Sequence, residues 1–208
     1  MMKVKNGLLA TMLITGLLVT GCGANNIAAP EQSNVDQPAS EKPAEKNEAN
    51  TSDKQLGATF DPENPKEYGI RGIYIGQGIE EAMGILKPVK ADFMDSITRE
   101  PRTIEQMAAS KGEMTMGILL IDQIPLMVQV QDGVLSSIMV GGIPEEKKQD
   151  FATNRGVTVY DKAEKLQEVY GNGEETETEI SYKGSKYKVA FSLNQEEIIG
   201  YRFDIVTK

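Results

Sequence analysis

Two stretches of the chain, 84 residues apart, carry the same hydrophobic pattern. Gly72-Ile73-Tyr74-Ile75-Gly76 runs into Ile79 to Leu86, and Gly156-Val157-Thr158-Val159-Tyr160 runs into Ala163 to Tyr170. Gly72 matches Gly156, Ile73 matches Val157, Ile75 matches Val159, Glu80 matches Glu164 and Ile85 matches Val169. Each reads as a short extended piece followed by a helix. In the first helix Ile79, Ala82, Met83 and Leu86 share a face, and Pro88 ends it. In the second, Ala163, Leu166, Val169 and Tyr170 share a face, Asp161 with Glu164 predicts a capping box, and Gly171 supplies the stop.

Period-two alternation follows each helix. Gly117–Ile121, Pro125–Gln131 and Val134–Val140 read as strands, with Asp132-Gly133 a strong hairpin turn. Further on, Thr176, Thr178, Ile180 and Tyr182 alternate against Glu175, Glu177, Glu179 and Ser181. Gly184-Ser185 predicts a two-residue turn that pairs Tyr182 with Tyr187, Ile180 with Val189 and Thr178 with Phe191. A loop at 194–198 then sets Phe191 opposite Tyr201 and Val189 opposite Phe203. Residues 89–112 interrupt the first half as an insertion, with a short helix expected between Pro101 and Lys111. The expected fold is α+β, in two related halves at 67–142 and 143–208. Each half is a short helix followed by a three- to four-stranded antiparallel meander.

The chain ahead of these halves has a different character. Lys3 and Lys5 precede an apolar run from Gly7 to Val19, too short at 13 residues for a comfortable membrane span and suited to the core of a signal peptide. That run ends in Val19-Thr20-Gly21-Cys22, which resembles the lipobox of bacterial lipoproteins. The resemblance implies cleavage after Gly21, so that residues 1–21 leave as a signal peptide. It also implies a diacylglycerol thioether on Cys22, the only thiol in the chain. Two acyl chains, such as palmitate, anchor stably where one is marginal. Loss of residues 1–21, which hold two Lys and no acid, takes the formal net charge from −9 to −11. From residue 22 to 66 the sequence is polar and has few large apolar residues, with Pro30, Pro38, Pro43, Pro62 and Pro65 spaced along it. It predicts a disordered spacer holding the domain very roughly 35–40 Å from the bilayer.

The helix-plus-meander arrangement, on the residues quoted above and on Asp132-Gly133-Val134, resembles the tandem helix-plus-sheet modules of bacterial envelope proteins. That group includes the small lipoprotein of the outer-membrane barrel-assembly machine, the β-lactamase-inhibitor-protein type, and the module found beside CAP/SCP-like domains. It implies this fold and a location outside the cytoplasm far more than an activity. The disulfides of the inhibitor type cannot form here, with one cysteine.

Composition narrows the chemistry. No His removes the commonest general base and metal ligand, and net acidity argues against nucleic acid. Ser136, Ser137 and Ser181 lack a His partner or an SxxK element. Glu175, Glu177 and Glu179 are weak cation candidates on one strand face, against the plainer reading of a solvated face paired with Lys186 and Lys188. The pairs Glu80-Glu81, Glu145-Glu146 and Glu196-Glu197 offer carboxylates for glycoside chemistry, but sequence neighbours diverge. Met83, Met94, Met107, Met114, Met116, Met127 and Met139 all fall in the first half. Core filling is the favoured reading, and an adaptable binding surface is the alternative. The sequence therefore predicts a non-enzymatic envelope lipoprotein. Its expected partners are the bilayer, through acylated Cys22, and an envelope protein, with no cofactor and no nucleic acid. A cation or small-ligand receptor stands second, and a carboxylate-based accessory enzyme on cell-wall polymer third.

Overall fold

Antiparallel strands joined by tight turns make one sheet that the two halves share. The structure, a computed structural model, describes residues 55–206. A ribbon of β1 (Gly69–Ile70) and β2 (Ile73–Tyr74) leads to α1 (Ile79–Leu86), β3 (Lys90–Asp95), α2 (Ile104–Ala109), β4 (Met114–Ile121), β5 (Ile124–Gln131) and β6 (Val134–Gly141). Then come a 3-10 segment at Glu145–Phe151, α3 (Glu164–Tyr170), β7 (Glu174–Glu175), β8 (Glu179–Lys183), β9 (Tyr187–Asn194) and β10 (Glu197–Ile205). The large sheet has eight strands in the order β3-β4-β5-β6-β10-β9-β8-β7. One meander thus meets the other where β6 pairs with β10. The class is α+β, as expected.

The helices cover one face only. Ile79, Ala82 and Leu86 of α1, Met107 of α2, and Leu166 and Tyr170 of α3 join Leu119, Leu126, Ile138, Phe191 and Phe203 from the strands in a single buried cluster. At roughly 25 cal/mol per Å² of apolar surface, such burial is the main source of stability here.

Local chemistry sets the boundaries. Helix α1 starts at Gly78 without a side-chain cap and ends on Lys87 in the left-handed region (φ 44°), just before Pro88. The capping box expected at Asp161 and Glu164 is absent, because α3 begins at Glu164 with Ala163 as its cap. The Asp161 carboxylate is already taken by the Thr158 amide (2.7 Å) and the Lys165 ammonium (2.7 Å). A full capping box forms instead in α2, between Thr103 and Gln106.

Three further expectations change. The insertion 89–112 contributes an edge strand, β3, as well as the short helix. The Thr/Glu run is no continuous strand: it folds back at Thr176–Thr178, leaving Glu174 opposite Ser181 and Glu175 opposite Ile180. The β8–β9 register sits two residues from expectation, with Tyr182 opposite Val189 and Ile180 opposite Phe191. The cause lies upstream. Any Cβ on Gly184 would meet the Pro62 carbonyl oxygen at 2.1 Å. Glu63 also takes the Ser185 amide (2.6 Å) and hydroxyl (2.5 Å), which holds its carboxyl below the usual range. A shift of two leaves every side chain on its own face. The β9–β10 pairing of Phe191 with Tyr201 and Val189 with Phe203 is as expected.

The polar spacer also ends earlier than residue 66. Phe60 packs edge-on against Tyr68, Tyr170 and Tyr182, with ring centroids 5.8, 5.0 and 6.2 Å away. Burial holds the Tyr182 hydroxyl's pKa up to about 12. Arg155 forks onto the fully buried Glu67 with two bonds of 2.5 Å and reaches the Thr59 carbonyl at 2.6 Å. One aromatic ring and one bidentate clasp thus tie residues 58–67 to the domain.

Candidate functional site: the uncovered face of the sheet

Strand alternation sends one set of side chains into the core and the other onto a face that, among the described residues, no helix covers. Along β4, Thr115, Gly117, Leu119 and Ile121 are buried while Met114, Met116 and Ile118 are exposed. Along β5, Leu126, Val128 and Val130 are buried, and Pro125 and Met127 face out. The contrast is sharpest between neighbours: Leu126 is 0% exposed and Met127 46%. In β6, Ser136 is an extra residue between Leu135, opposite Val130, and Ser137, opposite Gln129. This bulge puts both Leu135 and Ile138 in the core and leaves Met139 outside.

Cross-strand register assembles the outward side chains into rows. One row runs Asp92, Ile118, Met127, Met139, Arg202, each directly opposite the next across β3, β4, β5, β6 and β10. The neighbouring row runs Met94, Met116, Gln129, Ser137, Asp204. A shallow hollow of about 150 Å³ lies over Met94, Met116, Ile118, Met127 and Met139. Contiguous apolar surface of this kind marks interaction sites, because water wets it at a cost and the fold gains nothing from exposing it. Methionine suits such a surface, being unbranched and polarizable. The favoured expectation that these methionines fill the core is thus overturned for Met94, Met114, Met116, Met127 and Met139. Of the seven, Met107 alone is fully buried, and Met83 packs partly against the core.

Charges frame the apolar field. Lys90 pairs with Asp92 (2.6 Å) at the β3 edge. Arg202 pairs with Asp204 (2.7 Å), which also accepts from the Ser137 hydroxyl (2.9 Å). Beyond β10 the face turns polar, with Lys188 on Glu179 (3.2 Å) and small side chains at Ala190 and Ser192. These exposed pairs add little stability. Next to the field, Asp95 organises the loop after β3. It takes the Ile97 (2.9 Å) and Thr98 (2.8 Å) amides and the Arg102 guanidinium (2.8 Å). The Thr98 amide, then Arg102 and Ile97, hold its carboxyl far below the usual range.

The residues singled out in sequence separate. Gly21 and Cys22 lie outside the described residues. Glu175 sits in the two-residue β7, Glu177 in the fold-back, and Glu179 in β8 against Lys188. They do not share one strand face, and among the described residues no three acidic, Cys or His side chains converge to hold a metal ion. Glu81 accepts from Gln77 (2.9 Å), and Glu145 pairs with Lys148 (3.5 Å). Among the described residues, no helix is long and apolar enough to cross a membrane. No family model matches the chain, no curated protein matches its sequence, and no solved structure matches its fold.

Proposed function

We propose that this chain is a lipid-anchored, extracytoplasmic envelope protein that acts by binding another protein through the uncovered sheet face, without catalysis of its own. The observation that carries the binding role is the field of exposed Met94, Met116, Ile118 and Met127, with half-buried Met139 beside them, on an otherwise well-packed domain. The anchor rests on the sequence: two lysines, the apolar run and Val19-Thr20-Gly21-Cys22, followed by a polar stretch. The test uses the full chain in a bacterial host, labelled with an alkyne palmitate analogue. Label and membrane fractionation that are both lost in Cys22→Ala support the anchor. A photo-crosslinker at position 127 that captures protein, where one on the covered face does not, supports the binding role. Failure of either result removes that half of the proposal.

We further propose that the two halves are copies of one module. Support comes from hydrogen bonds that recur at the 84-residue offset. The Gln77 side chain accepts the Tyr74 amide (3.3 Å), as Asp161 accepts that of Thr158 (2.7 Å). Gln77 also donates to Glu81 (2.9 Å), where Asp161 accepts from Lys165 (2.7 Å). The loops dock alike on the last hairpin of each half: Gly76 N–H on Leu135 O (2.8 Å) matches Tyr160 N–H on Ile198 O (2.7 Å). Gly76 and Tyr160 both have positive φ, at 86° and 70°.

A further inference from the structure

On the helix-covered side, an open cleft of about 350 Å³ lies between α3, the chain that follows it, β7–β8 and the turn before β10. Its rim is acidic. Glu164 comes from the first turn of α3, Glu175 from β7 and Glu196 from the β9–β10 turn. Glu175 lies directly opposite Ile180, which puts its side chain on the same face as those of Ile180 and Tyr182. The Glu196 carbonyl accepts the Ala163 N–H (2.8 Å), which holds that turn against the start of α3. Lys165 is engaged elsewhere, on Asp161, and Lys162 lines a separate hollow with Glu196 and Glu197 without pairing with either. Among the described residues, none of the three rim carboxylates has an ion pair.

The floor of the cleft adds an unsatisfied polar group. Tyr182 is only 5% exposed, and its hydroxyl end is turned to the cleft. A Cβ on Gly173, in the cleft wall, would meet the ring at Cε1 and at Cζ, the hydroxyl-bearing carbon, 2.9 Å away. Tyr68, Tyr160, Tyr170 and Tyr201 each donate to an oxygen within the fold. The Tyr182 hydroxyl has no such partner among the described residues, although buried phenols ordinarily find one. Burial, and then the Glu175 carboxylate, keep it protonated at neutral pH, so it offers a lone pair as well as a proton.

Three unpaired negative charges call for positive charge, and their spacing decides its form. Among the described residues, no three acidic side chains converge to hold a metal ion, so a single small ion cannot answer all of them. Between them the wall is partly apolar, with Ala163, Ile180 and the Tyr182 ring. We propose that this cleft binds an aliphatic diamine or polyamine, its ammonium groups on the carboxylates and the Tyr182 oxygen, its methylenes over Ile180 and the ring. The volume falls within the range of about 300–1,000 Å³ for small-molecule sites. Hydrogen bonds from ammonium groups to carboxylates are the strong kind. The rim is exposed, so affinity falls as NaCl is raised. This site is on the other side of the sheet from the methionine field and does not depend on the binding role proposed above.

The experiment is a calorimetric titration of the full chain in detergent with 1,5-diaminopentane, butylamine and calcium chloride. One diamine per chain is expected, bound about tenfold more tightly than butylamine or calcium. Glu175→Gln and Glu196→Gln each weaken it about tenfold, with unchanged melting curves showing that both variants fold. Tyr182→Phe keeps the ring and removes a hydroxyl the fold does not use. Its melting temperature therefore stays at or above that of the parent while diamine affinity falls about fivefold. A lowered melting temperature with affinity unchanged assigns that hydroxyl to the fold and overturns the site. Calcium binding more tightly than the diamine, or butylamine binding as tightly, also overturns it. So does a diamine signal that fails to saturate by about 10 mM or that survives all three substitutions.

Discussion

The β3–β6 half and the β7–β10 half share a frame and differ on both faces. On the covered side the first half is mainly aliphatic, with Leu119, Leu126, Val128 and Ile138. The second is aromatic, with Tyr182, Phe191, Tyr201 and Phe203 in a chain of ring contacts that also takes in Tyr170. Both solutions fill the space under a helix, and a core asks for little more than volume and shape. On the uncovered side the difference is larger. The first half presents methionines and Ile118; the second presents Lys188, Glu179, Arg202, Asp204 and Ser192, with Ile199 as an exposed apolar exception. Folding needs an apolar set on only one face of an antiparallel sheet. The second half shows that this frame tolerates a largely polar outer face, so folding alone does not require the apolar face of the first half.

Breaking the clasp that joins the start of the domain to the second half has the largest expected effect. Arg155→Ala strands the buried Glu67 carboxylate and should cost about 3–5 kcal/mol. It should do so in one transition, because the halves share one core. Separate melting of two units in calorimetry would refute that shared core. Next comes a pair of neighbours. Leu126→Ala should cost about 2–5 kcal/mol, while Met127→Ala should stay within about 0.5 kcal/mol and weaken only association. Urea titration of both variants checks the contrast.

A smaller effect separates the loop beside the methionine field from its surroundings. The Asp95 carboxyl is depressed in the folded state, so its contribution is present above its unfolded pKa of about 3.9. It is lost as pH falls through the folded value. Melting temperatures followed down from pH 5 should fall more steeply in the parent than in Asp95→Asn, and parallel curves would refute this. Two local effects have opposite signs at the last hairpin of each half. The first turns on Asp132 and Gly133 (φ 52° and 78°), the second on Gln195 with φ 58°. Gly133→Ala should destabilise by about 1–2 kcal/mol, and Gln195→Gly should stabilise by about 1 kcal/mol. Thermal melts of the two variants that move in the same direction would show that the turns are not comparable.

Much of this was legible in the sequence because local signals agreed. Pro88, Gly171 and Asp132-Gly133 punctuate the chain where helices and hairpins end, and alternation placed Phe191 opposite Tyr201. What failed depended on contacts distant in sequence. The β8–β9 register is fixed by Pro62 and Glu63, over 120 residues upstream. Strand β3 is hard to read because its alternation, Lys90 to Asp95, buries only Phe93 and Asp95. The uncovered face was misjudged for a related reason. Both phases of β4 are largely apolar, Met114-Met116-Ile118 on one and Leu119-Ile121 on the other, so periodicity cannot say which faces water. The adjacent strand held the answer: Gln129 and Gln131 share the phase of Met127, and they mark it as the outer one.

The clasp also decides how the molecule bears a mechanical load. A pull applied through the chain ahead of residue 55 arrives first at Thr59, Phe60 and Glu67, on the helix-covered side. It meets Arg155 and Tyr170, and it reaches strand β8 only through the side chain of Tyr182 and the Ser185 turn, not through the hydrogen-bonded ladder. The ladder of the sheet is out of that line, so traction peels the N-terminal strap first and leaves the array of outward side chains in register. In a force-extension trace this gives a short early step, the release of residues 55 to about 67, followed by rupture of the main body at higher force. The strap acts as a mechanical fuse between whatever holds the N-terminus and whatever engages the sheet.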